Sequence, residues 1–167
     1  MNFNLAEYGG GLSALVAGAR PTPEMRTSIG HHLFAGAAHP AGALSGLWLY
    51  LDCFEESHVM AQEDSSPEGS LWHAIAHRRE PDYGNSNYWY RHAGKHPVYP
   101  SILEEARRLA TLMPEGGFRL GAAWDPALLV ELCEAAATDR KREPFALALQ
   151  RAEWQILFDY CARKRSV

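Results

Sequence analysis

Apolar residues recur at helical spacing along nearly the whole chain, and this pattern limits the fold more than any other feature. Alternation of apolar and polar residues, which is typical of half-buried strands, is weak, and no Asn-Gly dipeptide marks a hairpin turn. Proline and glycine divide the pattern into segments, and helix starts are predicted at Pro40, Pro67 and Pro126. The sequence therefore predicts an all-α fold, a compact bundle of about six to eight helices.

The predicted helices cover most of the chain. We expect them at about 40–62, 67–79, 87–92, 101–113, 126–137 and 144–164, with shorter ones within 12–31. The segment 144–164 is apolar on most sides, which predicts a central position in the bundle. The length of 167 residues and the hydrophobic content of 47% fit one domain, 1–167, that buries a core without disulfides.

Charge and cysteine content exclude several classes of protein. The 16 basic and 20 acidic residues are interspersed and give a net charge of −4, so no nucleic-acid-binding surface is indicated. Cys53, Cys133 and Cys161 are far apart and form no C-x-x-C motif, which favours buried thiols in a reducing compartment. The longest apolar run, 41–51, is too short to span a bilayer. We predict a soluble cytoplasmic protein without membrane or nucleic-acid partners; its oligomeric state stays open.

Polar residues fall on the apolar face of the predicted helix 40–62. At 100° per residue, the face that contains Trp48 continues through Glu55 and His58, whereas Ser57 points away. A carboxylate and an imidazole on a core-facing surface need partners, because burying an unpaired charge is costly. Their i, i+3 spacing is the one used by carboxylate-bridged metal bundles.

A second pair of polar residues lies on the next predicted helix, 67–79. His73 and His77 are one turn apart and lie side by side, a spacing that suits two imidazoles on one metal ion. Glu80 follows in the same direction if the helix extends that far. The two helices are consecutive and we expect them to be antiparallel neighbours. In such a pair, the polar residues of the two helices are expected at somewhat different heights along the helix axes.

These residues predict a metal site formed by His58, His73 and His77, with Glu55 or Glu80 as a further ligand or as a base. Three imidazoles leave a position for water or substrate, and a bound metal lowers the pKa of that water towards about 7. Zinc, iron and manganese all remain candidates. Two alternatives use the same residues: a metal-free pocket that binds a ligand, and a structural polar network.

The segment 72–99 is unusually dense in aromatic, arginine, histidine and asparagine residues. We expect Arg78 or Arg79 to orient an anionic group of a ligand, because guanidinium groups bind carboxylates and phosphates bidentately. Salt bridges with neighbouring acidic residues are the alternative. The remaining candidate ligand-binding residues of this segment are Asp82, Asn85, Tyr88, Trp89 and His96, which turn, capping and core roles would explain equally.

The same segment resembles the core of a family of uncharacterised bacterial and fungal proteins that share the pattern H-x-I-x-H-R-R-E-x-D-x-x-N-x-x-Y-W. The matching residues begin at His73 and end at Trp89, with Gly94, His96 and Pro97 following. The resemblance covers about 26 of the 167 residues, and the helices near 48–58 and 153–161 more loosely. It implies no particular activity, and it points to the same part of the chain as the residue analysis.

Taken together, the sequence favours a metal-assisted enzyme that hydrolyses or isomerises a small polar or anionic molecule. Phosphate-binding loops, G-x-S-x-G elbows and H-E-x-x-H motifs are not found. Two other classes stay open. One is a non-catalytic binding module for a polar or anionic small molecule, and the other is a protein-interaction domain in which the histidines and arginines form a structural network.

Overall fold

Seven α-helices account for most of the described part of the chain. The computed structural model describes residue 29 and residues 34–116 and 119–165. The helices, in chain order, are α1 Pro40–Tyr50, α2 Phe54–Glu63, α3 Pro67–Arg79, α4 Tyr83–Ala93, α5 Tyr99–Leu112, α6 Pro126–Ala136 and α7 Glu143–Ala162, with a 3-10 turn at Pro114–Gly116. The only strand-like feature in these ranges is an isolated bridge between Ala37 and Lys164. The predicted all-α bundle is confirmed; the helices expected within 12–31 lie outside the described residues.

Two helix starts follow directly from the local sequence. Ser66 accepts a hydrogen bond from the backbone N–H of Gly69 at 3.1 Å and caps α3, whose first residue is a proline. Asp125 caps α6 in the same way through the N–H of Ala127 at 3.0 Å. A polar cap followed by proline satisfies the first free N–H groups and presets the helical φ angle. Both predicted starts are confirmed.

The predicted helix 40–62 is wrong, because the structure breaks it into α1 and α2. Asp52 adopts a φ angle of 60°, and the N–H of Cys53 turns back to a carbonyl in the last turns of α1. Aspartate tolerates this left-handed conformation better than most residues. The break shifts the helical phase of everything after it. Glu55 is consequently exposed and Ser57 buried, the reverse of the expected arrangement.

Two serines hold α2 against α1 after this break. The hydroxyl of Ser45 donates to the carbonyl of Ser57, and the hydroxyl of Ser57 donates to the carbonyl of Ser45, both at 3.0 Å. Both side chains are buried, so each hydrogen bond satisfies a group that has lost its water. The orientation of α2, and of every side chain on it, is therefore set by this contact.

The helix α4 also differs from its prediction, which placed it at 87–92 with Ser86 as its cap. It begins at Tyr83, and Asp82 is the cap because its carboxylate accepts from the N–H of Asn85 at 3.2 Å. The hydroxyl of Ser86 is buried and donates instead to the carbonyl of Ala74 in α3 at 2.8 Å. This contact fixes the aromatic helix against α3.

The central helix is α3, not the C-terminal helix that the sequence favoured. Every residue of α3 from 68 to 79 is buried, whereas α7 has an exposed side. α3 packs against α1, α2 and α4. The approach of α1 depends on Gly46, whose Cβ, if present, would lie 2.6 Å from the Trp72 ring. The carbonyl of Gly46 accepts from the indole N–H of Trp154 at 2.9 Å.

The state of the cysteines and the apolar length of the helices can also be compared with their predictions. Cys53, Cys133 and Cys161 are buried thiols, as expected. Among the described helices, none combines the length and the apolar character that crossing a bilayer requires.

Candidate metal centre

Three histidines from two consecutive helices meet at one point. One ligand atom from each of His58, His73 and His77 lies within 4.8 Å of the others. The short connection 64–66 explains this meeting, since His58 lies five residues before the end of α2 and His73 six residues after the start of α3. The two positions are therefore level across the pair. The mismatch expected from the sequence disappears in the structure.

The rings are arranged around a common centre. His73 and His77 are one helical turn apart and their rings stack at 4.8 Å with an interplanar angle of 15°. His58 stands edge-on to both, with ring centroids 4.5 Å and 5.1 Å away. The Nε2 atoms of His58 and His73 are 2.9 Å apart. This arrangement turns imidazole nitrogens of both helices towards one point.

The cluster favours neutral imidazoles. His73 and His77 are buried, with 3% and 8% of their surface exposed, and His58 is half-buried. Burial and then the two neighbouring imidazoles lower the pKa of His73 to about 4, and the pKa of His77 is also lowered, chiefly by burial. The Nδ1 atom of His73 has no hydrogen-bond partner within the described residues. Neutral imidazole with an available lone pair is the form that binds a metal.

Two carboxylates lie beside the outer nitrogen of His77. Its Nδ1 atom is 3.6 Å from Glu80 and 3.9 Å from Asp82. Asp82 is itself held by the side-chain amide of Asn85, which donates to it at 2.7 Å. These separations exceed the length of a hydrogen bond, and Nδ1 of His77, like that of His73, has no hydrogen-bond partner among the described residues. The structure therefore brings three predicted site residues together with the histidines: Glu80 and Asp82 directly, and Asn85 through Asp82.

Aromatic rings surround the cluster. Trp89 stacks on His73 with ring centroids 4.0 Å apart and an angle of 21°. Tyr88 stands edge-on to Trp89 at 5.4 Å and is 46% exposed. Phe54 stacks on His58 at 5.7 Å. Two of the predicted ligand-binding residues, Tyr88 and Trp89, therefore lie at the candidate site.

Arg78 points into the protein. Its terminal nitrogens donate to Glu153 at 2.5 Å and to the hydroxyl of Tyr90 at 2.6 Å, and Tyr90 in turn donates to Glu153 at 2.8 Å. Burial alone would lower the pKa of Arg78, but the Glu153 carboxylate raises it. This guanidinium stays charged and joins α3, α4 and α7. Its observed partners are internal, and its ion pair is with Glu153 rather than with the neighbouring acidic residues of the salt-bridge alternative.

Arg79 has the same kind of environment on another side of α3. It donates to Asp52 at 2.7 Å and to the carbonyl of Leu49 at 2.9 Å, and it is 2% exposed. Burial lowers its pKa, and the attraction of Asp52 opposes this. Arg79 therefore supports the break between α1 and α2, on which the position of His58 depends.

Glu55 lies in a different environment from the histidines. It is exposed and lines an apolar pocket of about 380 Å³, together with Leu44, Trp48 and Val59 among others. The break between α1 and α2 is the reason, because it rotates α2 as a whole: the side with His58 faces α3, and Glu55, about 60° away around the same helix, stays exposed.

His96 belongs to a second polar cluster that the sequence analysis missed. Its Nε2 atom lies 3.2 Å from one oxygen of Glu68, and the other oxygen is 3.5 Å from Nδ1 of His39. Burial raises the pKa of Glu68, but the hydrogen bond from His96 and further contacts lower it to about 2. Tyr160 packs against both imidazole rings. An acidic residue in the first turn of a helix is usually exposed, so the sequence carried no signal for this role.

In comparisons with known proteins, the chain matches no protein-family model, no curated protein and no solved structure. The resemblance suggested by the segment His73 to Trp89 therefore stays a prediction. The geometry of the three histidines and their neighbours is accordingly the basis for a function.

Proposed function

We propose that His58, His73 and His77 bind a divalent transition metal and that the protein uses it to hydrolyse a small polar molecule. The observation that carries this proposal is the convergence of three imidazoles from two helices within 4.8 Å. Two of them are buried and their pKa values are lowered, so protons compete weakly for the same nitrogens at neutral pH.

The spacing of the nitrogens supports a mononuclear site. Metal–nitrogen bonds of 2.0–2.1 Å in a tetrahedral complex place the ligand nitrogens about 3.3 Å apart. The separation of 2.9 Å between His58 and His73 and the upper limit of 4.8 Å for all three residues lie on either side of that value. Small side-chain rotations are enough to bring all three nitrogens to the required distance.

The donor set favours zinc or iron among the three candidate metals. Imidazole suits both, whereas manganese prefers carboxylate, carbonyl and water oxygens. Glu80 and Asp82 lie next to His77 rather than within the group of three ligand atoms. This placement favours a positioning role over a ligand role: the carboxylates lie on the Nδ1 side of His77, which leaves its other ring nitrogen for the metal.

The chemistry follows from the number of ligands. A metal held by three imidazoles keeps a position for water and lowers the pKa of that water towards about 7, which supplies a hydroxide nucleophile at neutral pH. His58 is half-buried, so this side of the cluster is the route from solvent. Trp89 covers His73 and shields that side from water.

A second candidate is a structural, metal-free network. The direct contact between His58 and His73 at 2.9 Å favours it, because two neutral imidazoles can share a hydrogen bond without a metal. Arg78 and Arg79 also use their terminal nitrogens within the protein. In this alternative the histidines join α2 to α3 and the protein has no reaction centre here.

A Co²⁺ titration of metal-free protein, followed by visible absorption, distinguishes the two candidates. We expect about one equivalent to give the intense bands of a tetrahedral complex, and the variants His73→Gln and His77→Gln to lose them. His92→Gln is the matched control, because His92 is an exposed histidine of α4 outside the group of three. Bands that are missing in the unchanged protein, or kept in both cluster variants, contradict the metal site.

Activity is the second stage of the same test. The Zn²⁺-loaded protein is assayed with chromogenic ester, amide and phosphate substrates, before and after chelation. Hydrolysis that requires both the metal and His73 supports an enzyme. Stoichiometric binding without turnover of any of these substrate classes would instead indicate a non-catalytic metal-binding protein.

A further inference from the structure

The surroundings of the three histidines indicate which kind of ligand fits beside the metal. We propose that the site selects nitrogen-containing rings of the imidazole or pyridine class, which bind the metal through an unprotonated ring nitrogen and are neutral or carry a positive substituent, over carboxylates and phosphates. This inference rests on the proposed metal site. It narrows the small polar ligand of that proposal and departs from the anionic ligand that the sequence suggested.

The charge around the site is a first reason for this selectivity. Three neutral imidazoles leave the double positive charge of a divalent ion uncompensated. The carboxylates of Glu80 and Asp82 lie 3.6 Å and 3.9 Å from Nδ1 of His77, on the outer side of its ring, and both are about half exposed, so they offset a part of that charge. An incoming anion therefore meets two negative groups that lower its attraction to the ion, whereas a neutral ring does not.

The positions of the positive side chains on the neighbouring helices are a second reason for this selectivity. Arg78 and Arg79 are the arginines next to His77 in the chain, and both are buried in internal ion pairs. Arg91 is exposed on α4, two residues beyond Trp89. Two residues correspond to about 200° around a helix, so Arg91 lies on the opposite side of α4 from Trp89. None of these three arginines is placed to hold an anionic group at the cluster.

The aromatic surface beside His73 is a third reason for this selectivity. Trp89 stacks on the His73 ring at 4.0 Å, and Tyr88 and His92 pack around Trp89 at 5.4 Å each. Tyr88 and His92 are both exposed. Planar rings pack well on such a surface, and the faces of indole and phenol rings attract cations. A ring with a nitrogen donor satisfies both the metal and this surface.

The test compares two probes on the Co²⁺-loaded protein. Visible absorption follows titration with imidazole and, separately, with azide. We expect imidazole to bind at least about tenfold more tightly than azide, because the nearby carboxylates repel the anion. The variant Glu80→Gln/Asp82→Asn should shift the ratio of the two affinities towards azide by about tenfold, and this ratio cancels any change in the orientation of His77 that affects both probes. Asparagine is also a good helix cap, so α4 keeps its start.

Two further variants make the result specific. Glu105→Gln/Asp139→Asn removes two carboxylates that pair with Arg108 and Arg142 elsewhere on the surface, and it should change neither affinity. Trp89→Leu should weaken imidazole binding and leave azide binding unchanged. The inference is overturned if azide binds as tightly as imidazole, or if the carboxylate variant leaves their ratio unchanged. A failure of the metal site itself appears earlier, as a lack of Co²⁺ bands before any probe is added, and it overturns both proposals.

Discussion

The Nε2 atoms of His58 and His73 face each other at 2.9 Å across the α2–α3 pair. Two neutral imidazoles make this contact because one nitrogen donates a proton and the other accepts it, whereas two imidazolium ions cannot. The contact therefore requires at least one of the two rings to be neutral. Protons and metal ions compete for the same nitrogens, and this competition makes the cluster testable in the absence of any known substrate.

The metal-free protein should lose stability as the pH falls from about 6.5 to about 4. The pKa of His73 is lowered from 6.5 to about 4 in the folded protein. In that window the unfolded chain binds a proton that the folded protein does not. The free energy of unfolding therefore decreases as the pH falls. Urea denaturation across this range measures the slope.

The variant His73→Gln removes the titrating group and provides the comparison. We expect the loss of stability over the same pH range to be smaller by about 2 kcal/mol than in the unchanged protein. Equal slopes in the two proteins would show that His73 is protonated normally in the folded state.

The buried pair of Arg78 and Glu153 should be among the most sensitive positions of the fold. Glu153→Ala leaves the Arg78 charge buried without its partner, and we expect a loss of about 3–5 kcal/mol in the free energy of unfolding. Tyr90→Phe removes one hydrogen bond of the same group and should cost about 1 kcal/mol. The control Glu105→Ala removes an exposed partner of Arg108, and its effect should stay within about 1 kcal/mol. A similar effect of both Glu→Ala variants in chemical denaturation would contradict the structure.

Glu68 should stabilise the fold at neutral pH and lose this role in acid. Its pKa is about 2 in the folded protein, against 4.5 ordinarily, so the contribution is present above pH 4.5 and disappears as the pH falls towards 2. Glu68→Gln should therefore be less stable than the unchanged protein at pH 7, by about 1–3 kcal/mol. The two proteins should converge near pH about 2. A constant difference at all pH values would mean that the ionised carboxylate is not the stabilising group.

Gly46 tests the packing of α1 on α3. A Cβ at this position would lie 2.6 Å from Trp72, so Gly46→Ala should destabilise the protein by about 1–3 kcal/mol. Gly84→Ala is the matched control, since the nearest atom to its Cβ is 3.9 Å away. There the better helix propensity of alanine should leave stability unchanged or raise it by up to about 1 kcal/mol. Thermal denaturation separates the two outcomes.

The candidate site was predictable from the sequence where it depends on one helix. The i, i+4 spacing of His73 and His77 and the Ser66–Pro67 start are local features, and the structure keeps both. The meeting of His58 with this pair could be expected from the short connection alone. The side of α2 that faces α3 could not be predicted from the sequence. It depends on the break at Asp52, and that break depends on the left-handed conformation of Asp52 and on its buried contact with Arg79.

The roles of the arginines were beyond sequence reasoning for a similar cause. Arg78 finds Glu153, which lies 75 residues away in the chain, and Arg79 finds Asp52, which lies 27 residues away. Pairs so distant in sequence leave no local pattern. The sequence therefore predicted a ligand-binding role for arginines whose terminal nitrogens contact other parts of the fold.

The central claim is that the three histidines hold a metal, and the metal content of the native protein tests it most directly. Protein purified without a polyhistidine tag, and the variant His73→Ala/His77→Ala, are analysed by elemental mass spectrometry. We predict about one equivalent of zinc or iron in the unchanged protein and a near-complete loss in the variant. An unchanged protein that carries no transition metal and takes none up on titration would contradict the account and leave the structural network of His58, His73 and His77.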